Sequence, residues 1–324
     1  MVQGWRLPLG ASRGLAVKWV GIVVLWCGVL LCSACSGGAE TPSLSSSPSA
    51  TPSVLATPSS STTADPLAAC PPSVSLSSLP VLAHLGGGPD DAATASDGTV
   101  WISAHDAGRL VHLDSGGAVL QTIDDAMGPE GIVVLPDGAL LVAQQVPNRI
   151  DRLDVAHGTF TPWLSLGPAP SGEGIDGIAL DGTTVLVPDS HAGRLLSVAI
   201  RANGAAGTIT VVATGLGRPV DAAALAHGAY AVTVENQPGL LRVTAASSSA
   251  LLRAASLDDV VVDSGVAYVT DLIGHQVLAV DIASGASRVL VSAAPDAQGL
   301  ATFGTGLVVV DETAGVAATV PRCG

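Results

Sequence analysis

Residues 174–198 read GIDGIALDGTTVLVPDSHAGRLLSV. An acid, Asp176, opens a short apolar strand, and Asp181-Gly182 turns the chain into a second one. Gly accepts positive φ, so an Asp-Gly pair between two apolar runs marks a tight hairpin. The second run closes on Asp189, a polar loop follows, and a third strand begins near Arg194.

The same plan recurs from Asp90, Glu130, Asp221, Asp258 and Gln298, at steps of 40, 46, 45, 37 and 40 residues. Asp97-Gly98, Asp137-Gly138, His227-Gly228, Ser264-Gly265 and Thr305-Gly306 fill the turn slot of Asp181-Gly182. Short strands repeating at about 40–45 residues signal propeller blades. The spacing predicts an all-β, six-bladed propeller with four-stranded blades over 70–324. Fourth strands follow in five repeats, as in Ala118–Thr122 and Arg288–Val291, but repeat six stops after its third. A spare strand around Leu79–Leu85 precedes repeat one, and it is expected to complete blade six and close the ring without an open edge. Five blades with an irregular end is the alternative. Cys70 lies before the spare strand and Cys323 after the last one, which brings the two thiols together if those strands pair antiparallel. In an oxidising compartment they are expected to form a disulfide, with two free thiols as the other reading.

Upstream of the repeats the chain changes character twice. Arg6, Arg13 and Lys18 precede an apolar run of 13 residues, Trp19–Leu31. That run is shorter than the ~20 residues needed to span a bilayer and fits the core of an export signal. Leu31-Cys32-Ser33-Ala34-Cys35 resembles the bacterial lipobox, with Cys35 as the lipidated residue and 1–34 removed. An uncleaved membrane anchor is the alternative, and Cys32-x-x-Cys35 also matches a redox spacing without the surrounding βαβ pattern. Residues 35–69 are almost entirely Ser, Thr, Pro and Ala, a composition that predicts a disordered tether. The expected address is the outer face of a bacterial cell membrane, with the membrane touched only through the N-terminal lipid.

The chain holds 13 basic and 27 acidic residues; without Arg6, Arg13 and Lys18 the net charge falls from −14 to −17. Such a surface repels nucleic acid and anionic lipid, so neither is an expected partner. A monomer that binds a small molecule or a protein is expected. Past the tether the aromatics are Trp101, Phe160, Trp163, Tyr230, Tyr268 and Phe303, too few for a sugar-stacking face. Trp101, Tyr230 and Tyr268 fall within second strands and read as core.

In a propeller, inner strands begin and second strands end on one face, the channel mouth. Inner-strand starts there supply Asp90, Glu130, Asp176, Asp221, Asp258 and Gln298. Second-strand ends supply Ala104, Gln144, Asp189, Glu235, Asp271 and Asp311. Converging carboxylates favour one hard divalent cation such as Ca²⁺ or Mg²⁺. The same acids also suit turns, where they accept backbone N–H groups. His105, His191 and His275 follow second strands in repeats one, three and five, as solvated loop residues or as a base.

The acid, Asp-Gly turn, apolar strand ending in Asp and Gly-Arg-Leu of Asp176–Leu195 resemble NHL-repeat propellers and the SMP-30/gluconolactonase/LRE-like superfamily; Asp271–Val277 is similar. The resemblance covers about 80–322. It implies a metal held by inner-strand starts, for which Glu130, Asp176, Asp221 and Asp258 stand at the matching slots. It also implies a lactonase in which an Asp, here Asp221, acts as general base. A histidine base would instead resemble the streptogramin-lyase-like propellers. Asn148, Asn203 and Asn236 all lie away from the slots where the lactonase branch places Asn.

Overall fold

The computed structural model describes residues 65–170, 172–235 and 239–324. Cys35, the export segment and all but the end of the tether lie outside them. The described chain is a six-bladed β-propeller of four-stranded antiparallel blades. Blade one is Pro89–Thr94, Val100–Ala104, Arg109–Leu113 and Val119–Asp124, running from the axis outward. The inner strands of blades two to six are Pro129–Val134, Ala179–Asp181, Pro219–Ala224, Leu257–Asp263 and Ala297–Phe303.

Second strands are buried on both sides because each sits between neighbouring blades. Val100–Ala104 and Leu140–Gln144 are buried at every position, which is why they read as continuous apolar runs. Trp101 and Tyr268 are core, 3% and 0% exposed.

The last blade is closed as the missing strand requires. Val81–His84 pairs antiparallel with Val316–Pro321, outside Gly306–Asp311 and Ala297–Phe303. Cys70 and Cys323 are joined by a disulfide across 253 residues of sequence. Between Cys70 and the closing strand the chain makes a second attachment. Val74–Ser75 pairs in parallel with Val291–Ser292 on the outer edge of blade five. Arg288 donates to the carbonyls of Leu67 and Pro71 at 3.1 and 3.3 Å. Leu67, Leu76 and Leu79 are buried in one cluster with Tyr268, Val291, Val309 and Cys323. The N-terminal segment therefore straps blades five and six together before it closes the ring.

Candidate metal site at the channel mouth

The channel owes its chemistry to a bulge. In five blades, three residues at the start of the inner strand span two of the second strand. Pro89 faces Ala104 and Ala92 faces Ile102, and blades two, four, five and six repeat this from Pro129, Pro219, Leu257 and Ala297. Regular strands point successive side chains to opposite faces. A bulge breaks that alternation, and here it lets Asp90 and Asp91, and likewise Asp258 and Asp259, line one axial space.

Two tiers result. By register the mouth tier is Asp90, Glu130, Val220, Asp258 and Gln298, and the deeper tier is Asp91, Gly131, Asp221, Asp259 and Gly299; Asp176 and Gly177, just before the first paired residue of blade three, Ala179, line the same axial space. This corrects the slot assigned to Asp221: it stands one residue deeper than Glu130 and Asp258, and apolar Val220 takes its place. The repeat spacing hid the shift, because a single-residue offset is invisible when step lengths already vary.

The deeper tier binds blades together. Asp91 accepts the N–H of Ile132 at 2.7 Å, Asp221 that of Val260 at 3.0 Å, and Asp259 that of Leu300. Their own N–H groups donate to Ser103, Thr233 and Thr270 at 2.8, 3.0 and 2.8 Å. Where the tier carries glycine, the next blade lies too close for a side chain. A Cβ on Gly131 would sit 2.5 Å from the Asp176 carbonyl, and one on Gly177 2.7 Å from Asp221 Cβ. Asp221 is thus committed to the blade-four to blade-five seam, with Asp259 hydrogen-bonded to its carboxyl. That geometry does not suit the general base implied for it.

The mouth tier is different in kind. Ligand oxygens of Asp90, Glu130 and Asp176 all lie within 4.8 Å of one another. Asp258, 9% exposed, faces the same space, and no donor among the described residues reaches its carboxyl. Burial and then mutual repulsion push these carboxyls upward. Glu130 is pushed up to about 8 by burial and then by Asp176. Asp90 is raised well above the carboxylate range by burial, then by Glu130 and Asp176. Asp258 is raised likewise by burial, then by Asp176 and Asp90. Asp176 rises only to about 6: burial raises it, while Arg218, 3.6 Å away, opposes the rise. Gln145 also donates to Asp176 at 3.3 Å. Between the tiers the axis leaves about 10 Å³, room for the centre of roughly one water-sized body.

The second predicted circle is structural. Asp189 accepts from Ala192 N–H and Arg194 Nε at 3.2 and 2.8 Å. Asp271 accepts from Gly274 N–H and Gln276 Nε2, both at 2.8 Å. Asp311 accepts from the N–H groups of Ala314 and Asp296 at 2.8 and 3.1 Å. Gln144 donates to Asp125 at 2.5 Å, and Glu235 is ion-paired with Arg218. These side chains shape the loops that carry the mouth and do not line it. Asp91 and Asp259 are the channel acids that spacing alone missed; their signal was the doubled Asp at 90–91 and 258–259.

No protein-family model and no curated protein matches this sequence. Solved structures share its fold. Regucalcin from Agrobacterium tumefaciens, described as a calcium-binding protein, superposes with a TM-score of 0.62 at 13% identity, over 75% of this chain and 93% of its own. A gluconolactonase from Xanthomonas campestris gives 0.61 at 13% identity, over 75% and 88%. Inactive virginiamycin B lyase from Staphylococcus aureus with quinupristin gives 0.54 at 15% identity, over 74% and 86%. At these identities the likeness establishes architecture, and one architecture hosts many chemistries.

Proposed function

We infer that this chain is an exported, lipid-anchored propeller whose mouth binds one divalent cation through Asp90, Glu130 and Asp176, and through that cation a small oxygen-bearing ligand. The carrying observation is the convergence of three carboxylates within 4.8 Å, with Asp258 facing them. Carboxylates so close, one buried and two half-buried, repel one another unless a cation compensates them. The donor set fits a hard cation, and the calcium-binding fold neighbour is consistent with that.

A hydrolytic reading of the same site is favoured by Asp258. When bound, the cation would supply Lewis-acid polarisation of a lactone carbonyl. Asp258 carries a carboxyl with no committed donor beside the trio; with a cation offsetting the repulsion that raises it, it would be placed to take a proton from water, where Asp221 is not. The gluconolactonase fold neighbour supports testing lactones first.

The test is elemental analysis of the purified protein followed by calorimetric titration of the metal-stripped form. Glu130→Gln removes one charge and one ligand oxygen from the trio. It is expected to weaken divalent-cation binding at least about a hundredfold, since even outer-shell changes cost 10–100-fold. Unchanged binding in that variant would remove the site. Lactone hydrolysis assayed with and without chelator then separates binding module from enzyme. For the anchor, Cys35→Ala is expected to move the protein from the membrane to the soluble fraction of cells; continued membrane retention would favour an uncleaved N-terminal segment.

A further inference from the structure

A cavity of about 680 Å³ opens at the other end of the blades, where the N-terminal strap begins. Its size is that of a small-molecule site. Three stretches far apart in sequence wall it. The strap contributes Asp65 and Pro66, blade four contributes Arg242, and blade five contributes the turn Ser264-Gly265 and the turn from Asp281 to Ala286. Pro66, Ile282 and Ala286 give the cavity an apolar side.

Arg242 stands out among the arginines. It pairs across the sheet with Ala231, and cross-strand partners share a face. Ala231 packs in the cluster between blades four and five, so the Arg242 side chain leaves its sheet on the blade-five side. Eight arginines are half-buried. Seven of them reach a carboxylate or a backbone carbonyl. Arg242 is the one of the eight with no polar partner among the described residues. A guanidinium stays charged, and drawing it partly out of water without a partner is costly. The other charges of the cavity are Asp65 and Asp281, and neither is ion-paired with an arginine among the described residues. Asp281 accepts the Ala283 N–H at 2.9 Å and the Ser284 hydroxyl. Asp65 Oδ1 accepts the Leu67 N–H at 2.9 Å, which leaves Oδ2 uncommitted. One cavity therefore presents a positive group and negative groups that do not satisfy each other.

We propose that this cavity binds a small apolar zwitterion of the aliphatic dipeptide class, its carboxylate on Arg242 and its ammonium on Asp65. A guanidinium takes a carboxylate through two parallel hydrogen bonds, among the strongest polar contacts available to a ligand. A purely anionic ligand would face Asp65 and Asp281 unmatched, and a purely cationic one would face Arg242. Pro66 and Ile282 would cover the aliphatic side chains. The site shares no residue with the mouth and stands apart from the cation reading.

The experiment is calorimetry on the purified full chain, with chelator present so that the mouth plays no part. The probes are leucyl-leucine, its N-acetyl form and its C-terminal amide. Leucyl-leucine is expected to bind wild type, and each capped form to bind at least about tenfold more weakly, the worth of one charge-assisted contact. This arm needs no variant to fold. Arg242→Gln should lose at least about tenfold for leucyl-leucine yet leave the amide, which has no carboxylate to lose, unchanged within about threefold. Asp65→Asn should behave in the same way toward the N-acetyl form. Wild type that fails to bind leucyl-leucine at millimolar concentration overturns the proposal, as do capped forms that bind as tightly as the free dipeptide. A loss seen with the amide alone would reduce the cavity to an anion site on Arg242 and overturn the zwitterion. Unchanged affinity in Arg242→Gln would remove that residue and the proposal with it.

Discussion

The metal-free protein is expected to lose thermal stability as pH rises from about 5 to about 8, and to regain it when a divalent cation is added at the upper end. Burial is the first cause. It lifts Glu130 and Asp91 to about 8 and Asp176 to about 6, with Asp90, Asp258, Asp259 and Asp221 raised in the same direction. An unfolded chain releases these protons near pH 4. Between roughly pH 4 and pH 8 the folded state therefore holds more protons than the unfolded one. Stability must fall as pH rises through that window. One pKa unit corresponds to about 1.4 kcal/mol, so several coupled groups should shift stability by a few kcal/mol in total. Asp97, Asp154 and Asp281 are shifted the other way by hydrogen bonds to Thr99, His157 and Ser284, and act only below the ordinary carboxylate range. A bound cation requires the deprotonated carboxylates, so it should flatten or reverse the trend at pH 8. Melting curves at pH 5 and pH 8, with chelator and with Mn²⁺, check this. A chelated protein that melts higher at pH 8 than at pH 5 would contradict the packed, mutually repelling acids.

Reduction of the Cys70–Cys323 bridge is expected to lower stability by about 2–5 kcal/mol, as is Cys323→Ser. For a domain of this size that amounts to roughly 4–20 °C in melting temperature. The bridge closes a 253-residue separation, so its loss frees a large ensemble in the unfolded chain. Two features place the effect at blades five and six. Cys323 N–H donates to Tyr268 Oη at 2.9 Å in a buried setting. The Val74–Ser75 strap lies between Cys70 and the closing strand Val81–His84. Hydrogen exchange after reduction should accordingly rise first in 74–84 and 287–292, and leave blades two and three protected. Uniform loss of protection would show the ring melting as one unit, with the bridge acting only on the unfolded state.

Much of the architecture was readable because its causes are local. Apolar runs broken by Asp-Gly mark hairpins wherever they occur, and six such units need no long-range information to count. Ring closure by the N-terminal strand was readable too, since repeat six lacks a fourth strand and Leu79–Leu85 has no other partner. The strap was not: Val74–Ser75 carries no pattern of its own, and its parallel pairing depends on the exposed edge of blade five. At the mouth, the repeat pointed to Glu130 and Asp176, whose carboxyls lie close to that of Asp90, while Asp221 was set one residue too shallow. Asp189, Asp271 and Asp311 belonged to the turn-capping reading, and the Gly-Arg or Gln that follows each of the first two was the available sign.

By itself the amino-acid order determined the number of blades, the closing strand, the cysteine pair and an acidic mouth, since each follows from residue type and short-range spacing. Only the tertiary structure decided which acids share the axis, because a bulge turns consecutive residues to the same side and its offset leaves no trace in hydropathy. That single-residue shift separates carboxylates hydrogen-bonded across blade seams from carboxylates left facing one another around a common point.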